Sequence, residues 1–204
     1  MRVFMNTTER TRFRTLMNGM RHMQAARFCL GLLKRKVDAE TVSRLALAYD
    51  QAATFARRRG KAYRRHANKA KAAIGRALAL KEDPEFLHIR GIIRLHDEKP
   101  AQALSDFQRA YRRTHDPKYL VSIGNAQRQR GDRTAALRSY QRAKRHRTLD
   151  GGLLDFNIAQ ILFEMGRPVQ AKKIAKAGLS RTPKNAFQKE LRRQFKRLLD
   201  KVDE

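Results

Sequence analysis

The sequence predicts an all-α protein: an α-solenoid of three to four antiparallel helix pairs with a C-terminal capping helix. Three observations predict it. Prolines and turn residues punctuate the second half of the chain at short intervals. The segments between them carry apolar residues at helical spacing. A pattern of apolar, small and aromatic residues returns after 33 residues, from Pro84 to Pro117. The 204 residues suit one compact domain or a short solenoid.

The helix starts come first. Asp83-Pro84, Asp116-Pro117 and Thr182-Pro183 each place a capping residue before a proline at the first helical position. There the missing N–H has no partner to lose, and the fixed φ suits a helix. Pro100 and Pro168 follow the short polar turns 97–99 and 166–167, and Gly131-Asp132 makes the corresponding turn between them. Helices of about 13 to 17 residues with brief connections follow, the pattern of antiparallel pairs.

The pairs repeat. Leu87 returns as Leu120, Gly91 as Gly124, Ala103 as Ala136, Phe107 as Tyr140, and Ala110 as Ala143. Small residues let two helix backbones approach, and the aromatics fill space beside the next pair. A third pair follows Gly151-Gly152, with Ala159 and Ala171 at the small positions and Gly166 in the turn. Gly178 replaces the last alanine, Pro183 falls at the closing proline, and Ala175 stands where an aromatic is expected. A degenerate pair precedes them: a first helix over 40–58, a turn at Gly60, and a stripe through Tyr63, Ala67, Ala70 and Ile74. After Pro183, the stripe Phe187, Leu191, Phe195, Leu198 on a charged helix suits a terminal cap. The domains are therefore a basic helical extension (1–39), a degenerate basic pair (40–82), three repeats (83–182) and a capping helix (183–204).

This order of a large apolar residue, a glycine, an alanine, an aromatic and a second alanine resembles the tetratricopeptide (TPR) repeat. The resemblance covers 84–149, continues to 183 with the departures noted, and fades before 60. It implies a binding fold with no catalytic residues and a concave groove lined by the first helices. In the peptide-clamp subset of that family, lysine, asparagine and arginine at fixed positions hold a C-terminal carboxylate. Those positions are His88, Ile92, Ser122, Leu153 and Asn157 here, and only Asn157 matches, so that clamp is absent. Asn125, Phe156, Asn157, Gln160 and Phe163 remain candidate groove residues for another peptide.

Charge sets the partner class. Lys and Arg number 47 against 19 Asp and Glu, a formal net charge of +28, whereas solubility asks for about 2 to 8. Such an excess repels itself in the folded state and is relieved by a polyanion. Ten Lys or Arg and no acid lie between Gln51 and Lys81. From these, Arg57, Arg58, Arg59, Lys61, Arg64, Arg65, Lys69, Lys71 and Arg76 are candidate nucleic-acid contacts. Positions 57, 61, 64, 68 and 71 are read as one helical face without acidic i,i+4 partners. A second cluster comprises Arg128, Arg130, Arg133, Arg138, Arg142, Lys144, Arg145 and Arg147, with Asp132 as its only acid. The arginine fork suits phosphate, and the acids at turns serve helix caps. Tyr63, Tyr111 and Tyr140 lie beside these clusters, where bases stack, although spacing points Tyr63 and Tyr140 to the core.

Catalytic and metal constellations are not found, and no cofactor or small-molecule substrate is expected. His22, His66, His88, His96, His115 and His146 are scattered without ligand spacing. Cys29, the single cysteine, cannot form an internal disulfide and reads as a packed small residue in a reducing compartment. Residues 1–36 hold nine Lys or Arg and one acid, with Phe13, Leu16, Met20, Met23 and Phe28 suggesting one amphipathic helix. It covers the solenoid's open end, inserts along RNA or an anionic membrane surface, or acts as an organellar presequence; the first reading is preferred. The expected function is non-catalytic RNA binding on a ribonucleoprotein such as the ribosome, in the cytoplasm, by phosphate neutralisation. The alternative is a protein–protein adaptor taking an acidic protein or peptide in its concave groove.

Overall fold

A computed structural model describes residues 5–35, 37–146, 150–183 and 188–203. Among the described residues the regular structure is entirely helical: α1 (Thr7–Asn18), α2 (His22–Leu33), α3 (Ala39–Arg58), α4 (Arg64–Leu80), α5 (Pro84–His96), α6 (Pro100–Thr114), α7 (Lys118–Gln129), α8 (Arg133–Lys144), α9 (Gly151–Glu164), α10 (Pro168–Arg181) and α11 (Lys189–Asp203). The chain divides into two compact units, Met1–Arg113 and Thr114–Glu204. Both are built from helix pairs, the expected all-α repeat architecture.

The first unit centres on α3. Asp38 caps it by accepting from Thr41 N at 2.8 Å, with Glu40 in the first turn and Arg57 and Arg58 in the last, matching the helix dipole. Its apolar face (Val42, Leu45, Ala46, Tyr49) packs against α2 and α4. Ala25, Ala26 and Cys29 of α2 are all fully buried, and their small size brings the helix close. The extension therefore packs on the first pair. It does so as two helices rather than one, because the chain turns at Gly19 to Arg21, with Met20 at φ +54°. The stripe is broken there: Phe13 is 3% exposed and Met20 69%.

The repeat's glycines also make room for a ring. A Cβ on Gly91 would stand 2.3 Å from Cε1 of Phe107, and one on Gly124 would stand 2.5 Å from Cε1 of Tyr140. Each glycine thus admits the aromatic ring of its own pair, and Tyr140 also packs with Ile158, Ile161 and Leu162 of α9 and Ala171 of α10, the space beside the next pair. Both rings are fully buried, and burial of such a ring contributes about 1.5–3 kcal/mol. In the third pair Ala159 and Ala175 are small on both sides, and Phe195 of α11 packs with them. A Cβ on Gly178 would lie 2.5 Å from Phe195 Cζ, so α11 supplies the aromatic that position 175 lacks.

A polar link between paired helices accompanies the packing. Asp106 on α6 is 1% exposed and accepts from Arg90 Nε (3.0 Å) and Arg94 Nη1 (2.6 Å) on α5. One repeat later, Ser139 Oγ donates to Gln127 Oε1 at 2.7 Å, a neutral version of the Arg94–Asp106 link. Asp155, also 1% exposed, pairs with Lys144 and Arg181. Acids therefore serve buried inter-helix bonds as well as caps. Asp155, on α9, belongs to this second group.

The prolines divide by role. Pro84, Pro100 and Pro168 open helices, and Asp83 accepts from Glu85 N at 3.0 Å. Pro117 sits one residue ahead of α7, where Asp116 Oδ1 accepts from Lys118 N at 2.9 Å. Thr182 ends α10 instead of starting the next helix: its hydroxyl donates to Gly178 O at 2.8 Å, and α11 begins at Lys189. Phe187 of the predicted capping stripe lies outside the described residues.

Candidate interaction surfaces

In the first unit the predicted basic face is interrupted. Helix α3 ends at Arg58 and α4 begins at Arg64, so only positions 64, 68 and 71 share a helix. Arg57 and Lys71 instead converge through the tertiary fold on one pocket beside Thr54, Ile93 and His96. Both meet carboxylates there. Arg57 donates to Glu98 Oε1 at 2.5 Å and to His96 O at 3.1 Å, and Lys71 donates to Asp97 Oδ1 at 3.0 Å. These acids are absent from the sequence window 51–81 because they lie in the turn after α5. Hydrogen bonds from Lys99 and Lys71 hold the Asp97 carboxyl below its usual range. The His96 ring lies 3.0 Å from both oxygens of the buried Asp50. Arg59 and Lys69 lie over the rings of Phe55 (4.4 Å) and Tyr49 (5.3 Å). Arg58, Lys61, Arg64, Arg65 and Arg76 are exposed and have no carboxylate at ion-pair distance among the described residues. Tyr63 is half-buried under the Arg57 guanidinium, 5.3 Å away.

The second cluster is also partly neutralised. Arg128 Nε donates to Glu164 Oε1 on α9 at 2.9 Å, Arg130 lies 3.4 Å from Asp132, and Lys144 pairs with Asp155. Arg133, Arg138, Arg142 and Arg145 are exposed. Arg147 lies outside the described residues. Tyr140 is removed from any base-stacking role, since its ring is in the core and burial pushes its phenol up to about 12.

Three of the five groove residues come together. Phe156, Gln160 and Phe163 line a pocket of about 390 Å³ with Gln194, Arg197, Leu198 and Lys201 of α11. Phe156 meets the buried Phe195 edge-on, ring centres 5.5 Å apart. Arg197 and Lys201 are exposed and set two cations at the margin of an apolar floor. Glu164 also lies at the margin, already held by Arg128. Asn125 does not join them; it accepts the Tyr140 hydroxyl at 2.8 Å. Asn157 is half-buried and is not among the lining residues. Sequence reasoning missed Arg197 and Lys201. The signal was present, because Phe195 and Leu198 put a first-helix-like stripe on α11, with those cations one turn apart beside it.

Cys29 is buried, and burial pushes its thiol up to about 12, so it stays protonated and packs as a small residue. Among the described residues no group of three or more His, Cys, Asp or Glu side chains is placed to hold a metal ion. No helix among them is long and apolar enough to cross a membrane.

The fold is TPR-like, as its structural neighbours establish. A chain of the Cut9–Hcn1 hetero-tetramer of the APC/C matches 94% of this chain with a TM-score of 0.73 at 16% identity. This chain spans 35% of that one. A TPR repeat-containing protein from Cytophaga hutchinsonii matches 94% of this chain, over 78% of its own C-terminal part, with a TM-score of 0.62 and 16% identity. The Yersinia enterocolitica type III secretion chaperone SycD, solved with a peptide of the translocator YopD, matches 58% of this chain over 91% of its own. Its TM-score is 0.54 at 18% identity. No family model matches the sequence, and no curated protein matches it.

Proposed function

We propose that this chain is a non-catalytic protein-interaction module that takes a segment of an acidic protein into the groove between α9 and α11. The observation that carries this reading is the pocket of Phe156, Phe163 and Leu198 flanked by Arg197 and Lys201. An apolar floor with cationic margins suits a peptide whose apolar side chains alternate with carboxylates. The net charge of +28 favours encounter with such a partner. A neighbour of this fold, SycD, was solved holding a peptide. The proposal includes a cytoplasmic location, which cell fractionation tests.

The test is fluorescence anisotropy with a labelled peptide of alternating Glu and Leu, against a Glu–Ser control of equal charge. The Glu–Leu peptide binds more tightly, and Phe163→Ser or Lys201→Glu weakens it by roughly tenfold. Equal affinity for the two peptides, unaltered by either variant, overturns the groove reading.

A second reading, contact with RNA phosphate, rests on Arg58, Lys61, Arg64, Arg65 and Arg76, which have no carboxylate partners among the described residues. Its mark is an affinity for structured RNA that falls log-linearly with salt. Replacing Arg58, Arg64 and Arg65 by Gln flattens that slope if the reading holds.

A further inference from the structure

A second pocket lies at the opposite end of the chain's sequence, within the first unit. The turn before α2, the last turns of α3 and the turn after it enclose about 310 Å³. Its apolar wall is unusual for a soluble surface: Met20 is 69% exposed, and Met23 and Phe55 are each 36% exposed. Three exposed cations, Arg21, Arg59 and Lys61, stand around it, and no Asp or Glu is among its lining residues. Asp50, on the same helix as Phe55, is already engaged by His96.

The wall is held in place. Met20 takes φ +54°, a conformation that disfavours side-chain-bearing residues. The turn is closed by Met20 N donating to Met17 O at 3.1 Å and Arg21 N to Leu16 O at 2.9 Å. The His22 ring lies edge-on to Phe55 at 6.2 Å, and Arg59 lies over the Phe55 ring at 4.4 Å. Burial lowers the His22 pKa, so its imidazole is neutral at pH 7 and extends the apolar wall.

We infer that this pocket is a second docking site, separate from the α9–α11 groove, for an acidic segment that inserts one large apolar side chain between Met20, Met23 and Phe55 while its carboxylates meet Arg21, Arg59 and Lys61. Charge complementarity selects the occupant. Arg21 and Lys61 are exposed, Arg59 lies over the Phe55 ring, and no carboxylate is among the lining residues, while the apolar wall gives a bare polyanion nothing to bury. The inference rests on the protein-interaction reading but not on the groove that carries it.

The test places a photocrosslinking benzoylphenylalanine at Gln24 in one full-length protein and at Gln160 in another. Each is irradiated with a labelled peptide holding a single Phe among Asp and Glu. Crosslinking at Gln24 is expected, with affinity reduced about tenfold by Arg59→Glu/Lys61→Glu and similarly by Met20→Gly. Met20→Gly suits the positive φ, so it removes the side chain without opening the turn, and an unchanged far-UV circular dichroism spectrum confirms this. Crosslinking at Gln160 alone overturns the second site and leaves the groove reading standing. Crosslinking at neither overturns both. Loss on charge reversal with no effect of Met20→Gly overturns the apolar anchor and assigns the patch to polyanions, with a labelled single-stranded RNA then binding equally well. Binding to phosphatidylserine vesicles that Met20→Gly abolishes, without peptide crosslinking, assigns the patch to membrane and also overturns the inference.

Discussion

The glycine–aromatic contact gives the sharpest prediction. Gly91→Ala adds one methyl 2.3 Å from Phe107 Cε1 and 2.8 Å from its Cδ1 and Cζ, where ordinary contact begins at 3.4 Å. The ring must therefore move by about 1 Å, yet it is fully buried and has no free space to enter. Overpacking of this kind costs about 1–3 kcal/mol. Helix propensity acts the other way, since alanine is favoured over glycine in a helix interior by about 1 kcal/mol. Gly75→Ala in α4 supplies the control, because nothing lies within 4 Å of its added Cβ. Propensity cancels in the comparison, so the two variants differ by the strain alone, about 1–3 kcal/mol. Urea unfolding followed by circular dichroism reads the difference. With m near 1–3 kcal/mol/M, a 2 kcal/mol gap separates the midpoints by roughly 1 M, and Gly75→Ala is the more stable. Equal stabilisation by both variants would refute the packing role assigned to Gly91.

Other predictions rest on separate contacts. Asp106→Asn weakens the links to Arg90 and Arg94 and lowers stability by about 1.5–3 kcal/mol, measured by the same unfolding assay. Lys99→Ala removes the first hydrogen bond to Asp97 and raises that carboxyl's titration midpoint, read by NMR. Because Asp97 is depressed in the fold, its contribution is present above the ordinary 3.8 and is lost as pH falls below it. His22 is lowered as well, so the neutral ring is favoured in the fold. The first unit loses stability as pH falls below 6.5, and His22→Phe flattens that dependence. Deleting residues 189–204 uncovers Phe156 and Ala175 and raises binding of a hydrophobic dye.

The sequence by itself determined the helix pairs of the TPR-like fold. Capping residues, prolines and apolar spacing act within a few positions of one another, so Asp83-Pro84 and the return of Gly91 as Gly124 were legible without any long-range contact. Even the weakest pair was placed, α3 over 39–58 against an expected 40–58. The candidate sites were legible only in part. Phe156, Gln160 and Phe163 share one helix, and their common face followed from spacing; Asn125, on another helix, is held by Tyr140. The tertiary structure alone decided which cations keep their charge free. Arg57 finds Glu98 41 residues away and Arg128 finds Glu164 36 residues away, separations at which no i,i+4 rule applies. It also decided that Phe195 supplies the aromatic missing at Ala175, and that Met20 leaves the amphipathic stripe for the surface. Periodicity reports what a helix offers to its neighbours, whereas burial and ion pairing depend on which neighbour arrives, and that is set by how the helices stack.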